Sequence, residues 1–353
     1  PISYDRGGEK PTCTDADLLL GYLDPDYFAG GKYPLNKNKT IDITEKELGK
    51  SLGLNSQEAA AGMYRVINMN MAQGVRQVSV ERGYDPREFL MICAGGAGSI
   101  HAGEICRELE IPMFVVPSVA PIFCAAGMLL GDLKHDYVRS YMTKFSGLVK
   151  TEFLELYKNM KEEAIETLIE EGINEDKIQY IPSLDLRYVG QYHEVPLEIS
   201  MDDIYAFNLD GIKNAFHNEH NRQFGYELKD EGTELEVINI RLRAIGITEK
   251  PHSLTGNIDV GADSLNDALK GRRKAYVPEI DQMKEVPVYN GDILKSNFKI
   301  EGPSIIEQVN TTVFLGESYN CETGIGGAFI VYNKELMPDG VNSIVNKKES
   351  VII

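Results

Sequence analysis

Apolar residues recur along this chain at two spacings, three-to-four and two, and the change from one to the other divides it. In SQEAAAGMYRVINMNMAQGVRQVSVERG, from Ser56 to Gly83, Met63, Val66, Ile67, Met71, Val75 and Val78 lie three or four apart. That spacing places one apolar stripe on a helix. Ser56 is read as the cap, Glu58 as its first-turn acid and Gly83 as the stop. Asn68, Asn70, Arg76 and Ser79 then fall on other faces, as solvated or subunit-facing positions. The next stretch, MICAGGAGSIHAGEICRELEIPMFVVP, reads as a strand, a glycine turn, a helix over 99–109 and a buried strand over Met113–Val116. The two strands should lie side by side and parallel, joined by a right-handed crossover.

From Ile111 to Leu130 only Ser118 is polar, a length that could span a bilayer. Pro112, Pro117, Pro121 and Gly127 argue against one continuous helix, so the segment divides into the buried strand, a turn and a short apolar helix. After Asp132 the pattern changes. Residues 150–172 form an acidic amphipathic helix stopped by Gly172, and SLDLRYVGQYHEVPLEI holds two alternating runs about Val189-Gly190-Gln191, a bent strand or hairpin. Residues 210–224 read as helix. ELEVINIRLRAIGI alternates with Ile238, Ile240 and Leu242 on one side, and a polar stretch from about 248 to 274 reads as a loop or boundary. Short apolar runs broken by Asn-Gly, Gly-Pro and Gly-Gly then give a small β-rich unit. The expected division is residues 1–145 as α/β, 146–275 as α+β, and 276–353 as a β-rich unit whose exposed strand edges suit a partner subunit.

Composition excludes several classes. A chain of 353 residues exceeds the roughly 250–300 at which single cores stop growing, so two or more domains are expected. Lys+Arg 36 against Asp+Glu 54 leaves −18, with no basic, aromatic-interleaved stretch, so neither nucleic acid nor an anionic membrane surface is an expected partner. Cys13, Cys93, Cys106, Cys124 and Cys321 form no CxxC pair. That pattern fits reduced, buried thiols in a cytoplasmic protein rather than a disulfide framework or a zinc site.

Candidate chemistry centres on Gly95, Gly96, Ala97 and Gly98, followed by His101. Such a turn can be a tight strand-to-helix connection, or it can clear side chains from a ligand. It matches neither GxGxxG nor GxxxxGK[ST]. His217 and His220 are three apart on a helix and could share a metal, although no third ligand accompanies them and a solvated face is the reading preferred; no metal site is assigned. His135 and Asp136 are neighbours on a strand and point to opposite faces, which suits a structural role. Asp15 and Asp17 serve at a helix start as cap and dipole partner, or near a ligand. Cys124 has no paired base, and no GxSxG elbow supports a serine triad, so no catalytic residue is assigned.

Several of these stretches together carry a resemblance. PISYDRGGEKPTCTDADLLLGYLDPDYFAGG, GMYRVINMNMAQGVRQVSVERGYDPREF and AGGAGSIHAGEICRELEIPMFVVPSVAPIFCAAGMLLGDLKHDYVRS resemble, in that order, the hydantoinase A/5-oxoprolinase family. DLRYVGQYHEVPL, FHNEHNRQFGYEL, ELEVINIRLRAIG and VPVYNGDILKSNFKIEGPSIIEQVNTTVFL continue the likeness. The family includes the A subunits of ATP-dependent N-methylhydantoinases, 5-oxoprolinase and the related subunits of acetone and acetophenone carboxylases. The tyrosine-aspartate start and acidic body lean towards the carboxylases.

The resemblance implies the second lobe of an actin/Hsp70/sugar-kinase-like fold, with Gly95, Gly96, Ala97 and Gly98 beside the adenosine of ATP and His101 at the family's histidine. Phosphate loops of the DxGGTxTD kind belong to the family's first lobe and do not occur here. The chain is therefore expected to be the C-terminal half of a longer subunit, with the Mg site mostly outside it. The implied partners are the missing N-terminal lobe, a hydantoinase B-like subunit and a small lactam or ketone. Activation by phosphorylation of a carbonyl or amide oxygen is the implied chemistry. A non-catalytic assembly lobe and an actin-like nucleotide switch are the alternatives.

Overall fold

In the computed structural model, residues 1–229, 231–251 and 261–341 are described. They divide into two compact units, one of residues 1–126 together with those from 261 onward, the other Gly127–Pro251.

The first unit opens with helices α1 (Cys13–Leu19), α2 (Lys37–Thr44), α3 (Lys50–Leu52) and α4 (Ser56–Val78). Asn55, not Ser56, caps α4: its side chain accepts from the N–H groups of Gln57 and Glu58, and the Glu58 carboxylate accepts the Asn55 N–H at 2.8 Å. The expected stripe is also displaced. Val66 and Val78 are exposed, while Ala59, Ala60, Tyr64, Asn68 and Ala72 are buried. Small residues let α4 approach its neighbours closely, and that decides the face more than the large side chains do.

Strand β1 (Met91–Ile92), helix α5 (Gly98–Leu109) and strand β2 (Met113–Val116) follow as expected, with β1 and β2 parallel and Met91 opposite Phe114. Ile111–Leu130 is not one helix: after β2 come a 3₁₀ turn and α6 (Phe123–Leu130). Among the described residues, no helix is long and apolar enough to cross a membrane.

The second unit contains β3 (Leu133–Lys144), α7 (Lys150–Glu170), β4 (Ile178–Tyr188), β5 (Val195–Glu198), α8 (Met201–Ala206), α9 (Leu209–Phe224) and β6 (Leu235–Gly246). Its antiparallel sheet runs β3-β6-β4-β5. Phe153, Tyr157, Met160, Ala164 and Leu168 form the buried stripe of α7, and Gly172 ends the helix region at φ +88°. The hairpin β4–β5 is as expected. In β6, however, the register shifts by one residue around Ile238, so Leu235 and Val237 share the buried face with Ile240, Leu242 and Ala244. A bulge of this kind turns the strand without losing its inner face.

The chain then returns to the first unit with β7 (Leu269–Val277), β8 (Gln282–Asn290), β9 (Lys299–Glu301), β10 (Ser304–Glu307), β11 (Thr312–Leu315), β12 (Tyr319–Thr323) and β13 (Phe329–Asn333). Residues 269–274, expected in a polar loop, thus begin a strand, and 252–260 lie outside the described residues. The strands beyond 276 do not all join one sheet. β9, β12 and β13 extend the β1–β2 pair into the order β1-β2-β13-β12-β9, while β11-β10-β8-β7 form a second sheet. By packing, the chain divides after residues 126 and 251, where boundaries near 145 and 275 were expected; residues 342–353 lie outside the described part. Backbone pairing explains the difference, because β2 finds an antiparallel partner in β13, with Phe114 opposite Val331.

Candidate functional site

Helix α5 is central to the first unit and buried on nearly every side: Ser99, Ile100, His101, Ala102, Ile105, Cys106 and Leu109 are all inaccessible. Hydroxyls fasten its exposed carbonyls and its own polar start. Tyr64 donates to the Ile100 carbonyl at 2.9 Å, Tyr319 donates to that of Gly103 at 2.8 Å, and Ser99 donates to that of Thr312 at 2.7 Å.

The glycine turn before α5 divides into three roles. Gly95 takes φ +94°, which a side chain would strain, and its N–H donates to the Ala120 carbonyl. A Cβ on Gly96 would stand 2.5 Å from the Asn310 carbonyl oxygen, so this glycine admits the loop between β10 and β11. A Cβ on Gly98 would meet nothing within 4 Å. Packing thus accounts for Gly95 and Gly96 and leaves Gly98 without a structural reason.

Beside the turn is a cleft of about 250 Å³, lined by Asp17, Tyr27, Phe28, Gly96, Ala97 and the 307–312 loop, among others. Gly95, Gly98 and His101 do not line it. His101 stands behind Asp17: its Nε2 is 3.6 Å from Asp17 Oδ2, its Nδ1 is 2.9 Å from Asn68 Oδ1, and its ring stacks on Tyr64 at 5.1 Å. Asp17, His101 and Asn68 are 3%, 5% and 6% exposed, which makes this a buried polar chain reaching the cleft. Burial pushes the Asp17 carboxyl above its ordinary value, and His101 opposes that shift. Asp17 Oδ1 and Thr311 Oγ1 are buried without a hydrogen-bond partner, and both residues line the cleft.

Among the described residues no Lys or Arg lines the cleft. Lys270 and Arg273 are engaged with its acids: Lys270 pairs with Glu307 and sits over the Tyr27 ring, while Arg273 reaches Glu307 at 2.9 Å and Asp24 at 3.4 Å. Such a lining repels a polyphosphate and suits a neutral ligand with hydrogen-bond donors and a flat face for Tyr27 or Phe28.

The remaining candidates stay apart from this site. Asp15 is a cap: fully buried, it accepts from the N–H groups of Ile2, Ser3 and Thr12 at 3.0, 2.8 and 2.9 Å and from the Thr12 hydroxyl. Burial pushes its pKa up, but these donors outweigh it and hold the group below its ordinary value. His217 and His220 are both 1% exposed, not solvated. His217 Nδ1 meets the Tyr188 hydroxyl at 2.6 Å, and His220 Nδ1 meets the Tyr226 carbonyl at 2.9 Å, so their nitrogens diverge. Among the described residues no three His, Cys, Asp or Glu side chains could hold a metal. His135 pairs with Glu171 and Asp136 with Arg243, both structural contacts. Cys93, Cys106 and Cys321 are buried, with the Cys93 thiol pushed up to about 12 by desolvation, whereas Cys13 is half-buried and Cys124 exposed.

Sequence reasoning placed Asn68 on an exposed face and did not single out Glu307 or Thr311. Asn68 had a signal, the four-residue repeat Ala60, Tyr64, Asn68, Ala72. The 307–312 loop had none, since only the folded chain brings it to Gly96.

Comparison with known proteins fits this picture. Residues 1–137 match the model for the hydantoinase/oxoprolinase family, and residues 146–323 match that for the hydantoinase/oxoprolinase C-terminal domain. The chain is 32% identical over 322 residues to the caprolactamase subunit alpha of Pseudomonas jessenii, covering 89% of this chain and 45% of that protein. It is also 32% identical over 327 residues to the acetophenone carboxylase gamma subunit of Aromatoleum aromaticum, covering 89% of this chain and 43% of that one. The chain spans less than half the length of these relatives. A solved nucleotide-free structure of acetone carboxylase shares the fold over 94% of this chain and 48% of its own, with a TM-score of 0.80 at 22% identity.

Proposed function

Because the chain belongs to the hydantoinase/oxoprolinase family, we propose that it supplies the nucleoside-facing side of an ATP site in an enzyme that phosphorylates a carbonyl or amide oxygen. The observation that carries this reading is the cleft beside the glycine turn, with two orphaned acceptor-capable atoms, two aromatic rings and no lining cation. Asp17 and Thr311 would hold donors of the nucleoside, and Tyr27 or Phe28 would face its base.

ATP supplies a phosphoryl group that turns a poor leaving oxygen into a good one, or traps an enolate. The residues of this chain do the binding and the exclusion of water. Phosphates and their divalent ion belong with groups other than this acidic lining, because Asp17, Asp24 and Glu307 oppose them and the neighbouring cations are already paired. The proposal takes the first unit as the second lobe of an actin/Hsp70/sugar-kinase-like fold, acting with a hydantoinase B-like subunit. Hydrolysis of a lactam and carboxylation of a ketone both remain within it, since the caprolactamase and acetophenone carboxylase subunits are equally identical to this chain at 32%.

Calorimetry of ATP and adenosine binding to the full-length protein tests the reading. Tyr27→Ala, which removes a ring that lines the cleft, should weaken both ligands about tenfold or more with unfolding midpoints measured in parallel. Equal affinity in the two proteins would overturn it. With partner subunits present, ATP hydrolysis measured against hydantoins, 5-oxoproline, caprolactam, and ketones with bicarbonate should rise with one of these substrate classes.

A further inference from the structure

We infer that Asp17 is the recognition residue of the cleft, its Oδ1 accepting a hydrogen bond from a hydroxyl or N–H group of a nucleoside, with His101 as the positioning residue behind it. The inference rests on the proposed nucleoside reading of the cleft and adds the residue that selects the ligand.

A carboxylate that is 3% exposed with one oxygen unpartnered carries a desolvation cost that His101 offsets only in part. A shortage of local donors does not explain it. Asp15, two residues earlier on the same helix, has both oxygens filled by backbone and hydroxyl donors. The unpartnered oxygen belongs to a residue that lines the cleft, and a second cleft residue, Thr311, has an unpartnered Oγ1. An acceptor selects a donor, so a neutral group bearing O–H or N–H is the complement and an anion is rejected.

Oδ2 of the same carboxylate faces His101 Nε2 at 3.6 Å. His101, fixed by Asn68 and the Tyr64 ring, thereby sets the aim of Asp17.

Calorimetry with adenosine and 2′,3′-dideoxyadenosine on the full-length protein, with unfolding midpoints measured in parallel, provides the test. Asp17→Ala should weaken adenosine roughly ten- to hundredfold. Asp17→Asn, which keeps an acceptor oxygen, should lose less. His101→Ala should lose several-fold in affinity and His101→Gln should recover most of it, a separation that a purely structural role would not produce at equal midpoints. If the donor is a sugar hydroxyl, dideoxyadenosine binds the wild type weakly and Asp17→Ala weakens it no further; if it is a base N–H, both nucleosides lose equally. Wild-type binding with an Asp17→Ala variant of unchanged affinity overturns the inference alone. A wild type that binds no adenine nucleoside or nucleotide overturns the reading of the cleft, and this inference with it.

Discussion

Buried histidines occur in both units, and their surroundings differ in one respect that separates a candidate site from packing. Around α9, His217 Nδ1 meets the Tyr188 hydroxyl, which receives the Leu228 N–H at 2.8 Å, His220 is held by the Tyr226 carbonyl and Gln191, and His217 Nε2 is buried without a partner. Burial pushes the His217 pKa down, and aromatic rings surround the pair. Around α5, His101 is also buried, but its neighbour is a carboxylate with an unpartnered oxygen whose residue lines a cleft. Burial alone therefore marks structure. Burial together with an unfilled hydrogen-bonding position and space for a ligand marks recognition.

Three substitutions would sharpen or break that contrast. Replacing Tyr188, fully buried against His217, His220 and Phe216, by Ala should destabilise the protein by about 3–5 kcal/mol in chemical denaturation, through cavity formation and loss of the His217 partner. Under native conditions it should leave nucleoside affinity unchanged; a parallel loss of affinity would blur the distinction.

Asp15→Ala should cost about 2–3 kcal/mol, since it strands the buried N–H groups of Ile2 and Ser3. The folded pKa of Asp15 lies below its unfolded value of about 3.9. Its contribution is therefore fully present above that value and disappears as pH falls through the folded one. Denaturation curves at pH 7 and pH 3 should show the gap between wild type and Asp15→Ala narrowing in acid.

The smallest effect belongs to Asp17→Asn, expected to change stability by less than about 1 kcal/mol at pH 7 because it removes a charge that burial disfavours. Here the sign reverses. A folded pKa above the unfolded value means the native state keeps its proton longer, so wild-type stability relative to Asp17→Asn should fall as pH rises from about 3.9. A large destabilisation by Asp17→Asn would class this carboxylate with Asp15, as a structural cap rather than a recognition group.

Much of the local structure was legible where one strong local signal acted alone. The β1–α5–β2 crossover, α7 with its stop at Gly172, α9 and the β4–β5 hairpin all follow from spacing and turn residues. Errors arose where two local choices competed. Ser56 and Asn55 can both cap a helix, but only Asn55 has a glutamate three residues on, and that decides the register. On α4 the large residues suggested one face while Ala59, Ala60 and Ala72 fitted the other. Ile238 looks like any other member of an alternating run, and only pairing with β4 reveals the bulge. The glycine turn was recognisable as a turn, yet its surroundings were not, because Asn310 and Thr311 reach it from a segment about 200 residues later.

That long reach bears on synthesis. Ser99 and Thr312 are hydrogen-bonded across 213 residues, and β2 is paired to β13. Gly127–Pro251, by contrast, is continuous in sequence and can complete its sheet while still tethered to the ribosome. The surrounding unit has to wait, with the inner faces of β2 and α5 uncovered, until the final strands emerge. For that interval the nascent chain is a client for chaperones, and a message truncated before β11 would yield a polypeptide with an ordered insert and no cleft.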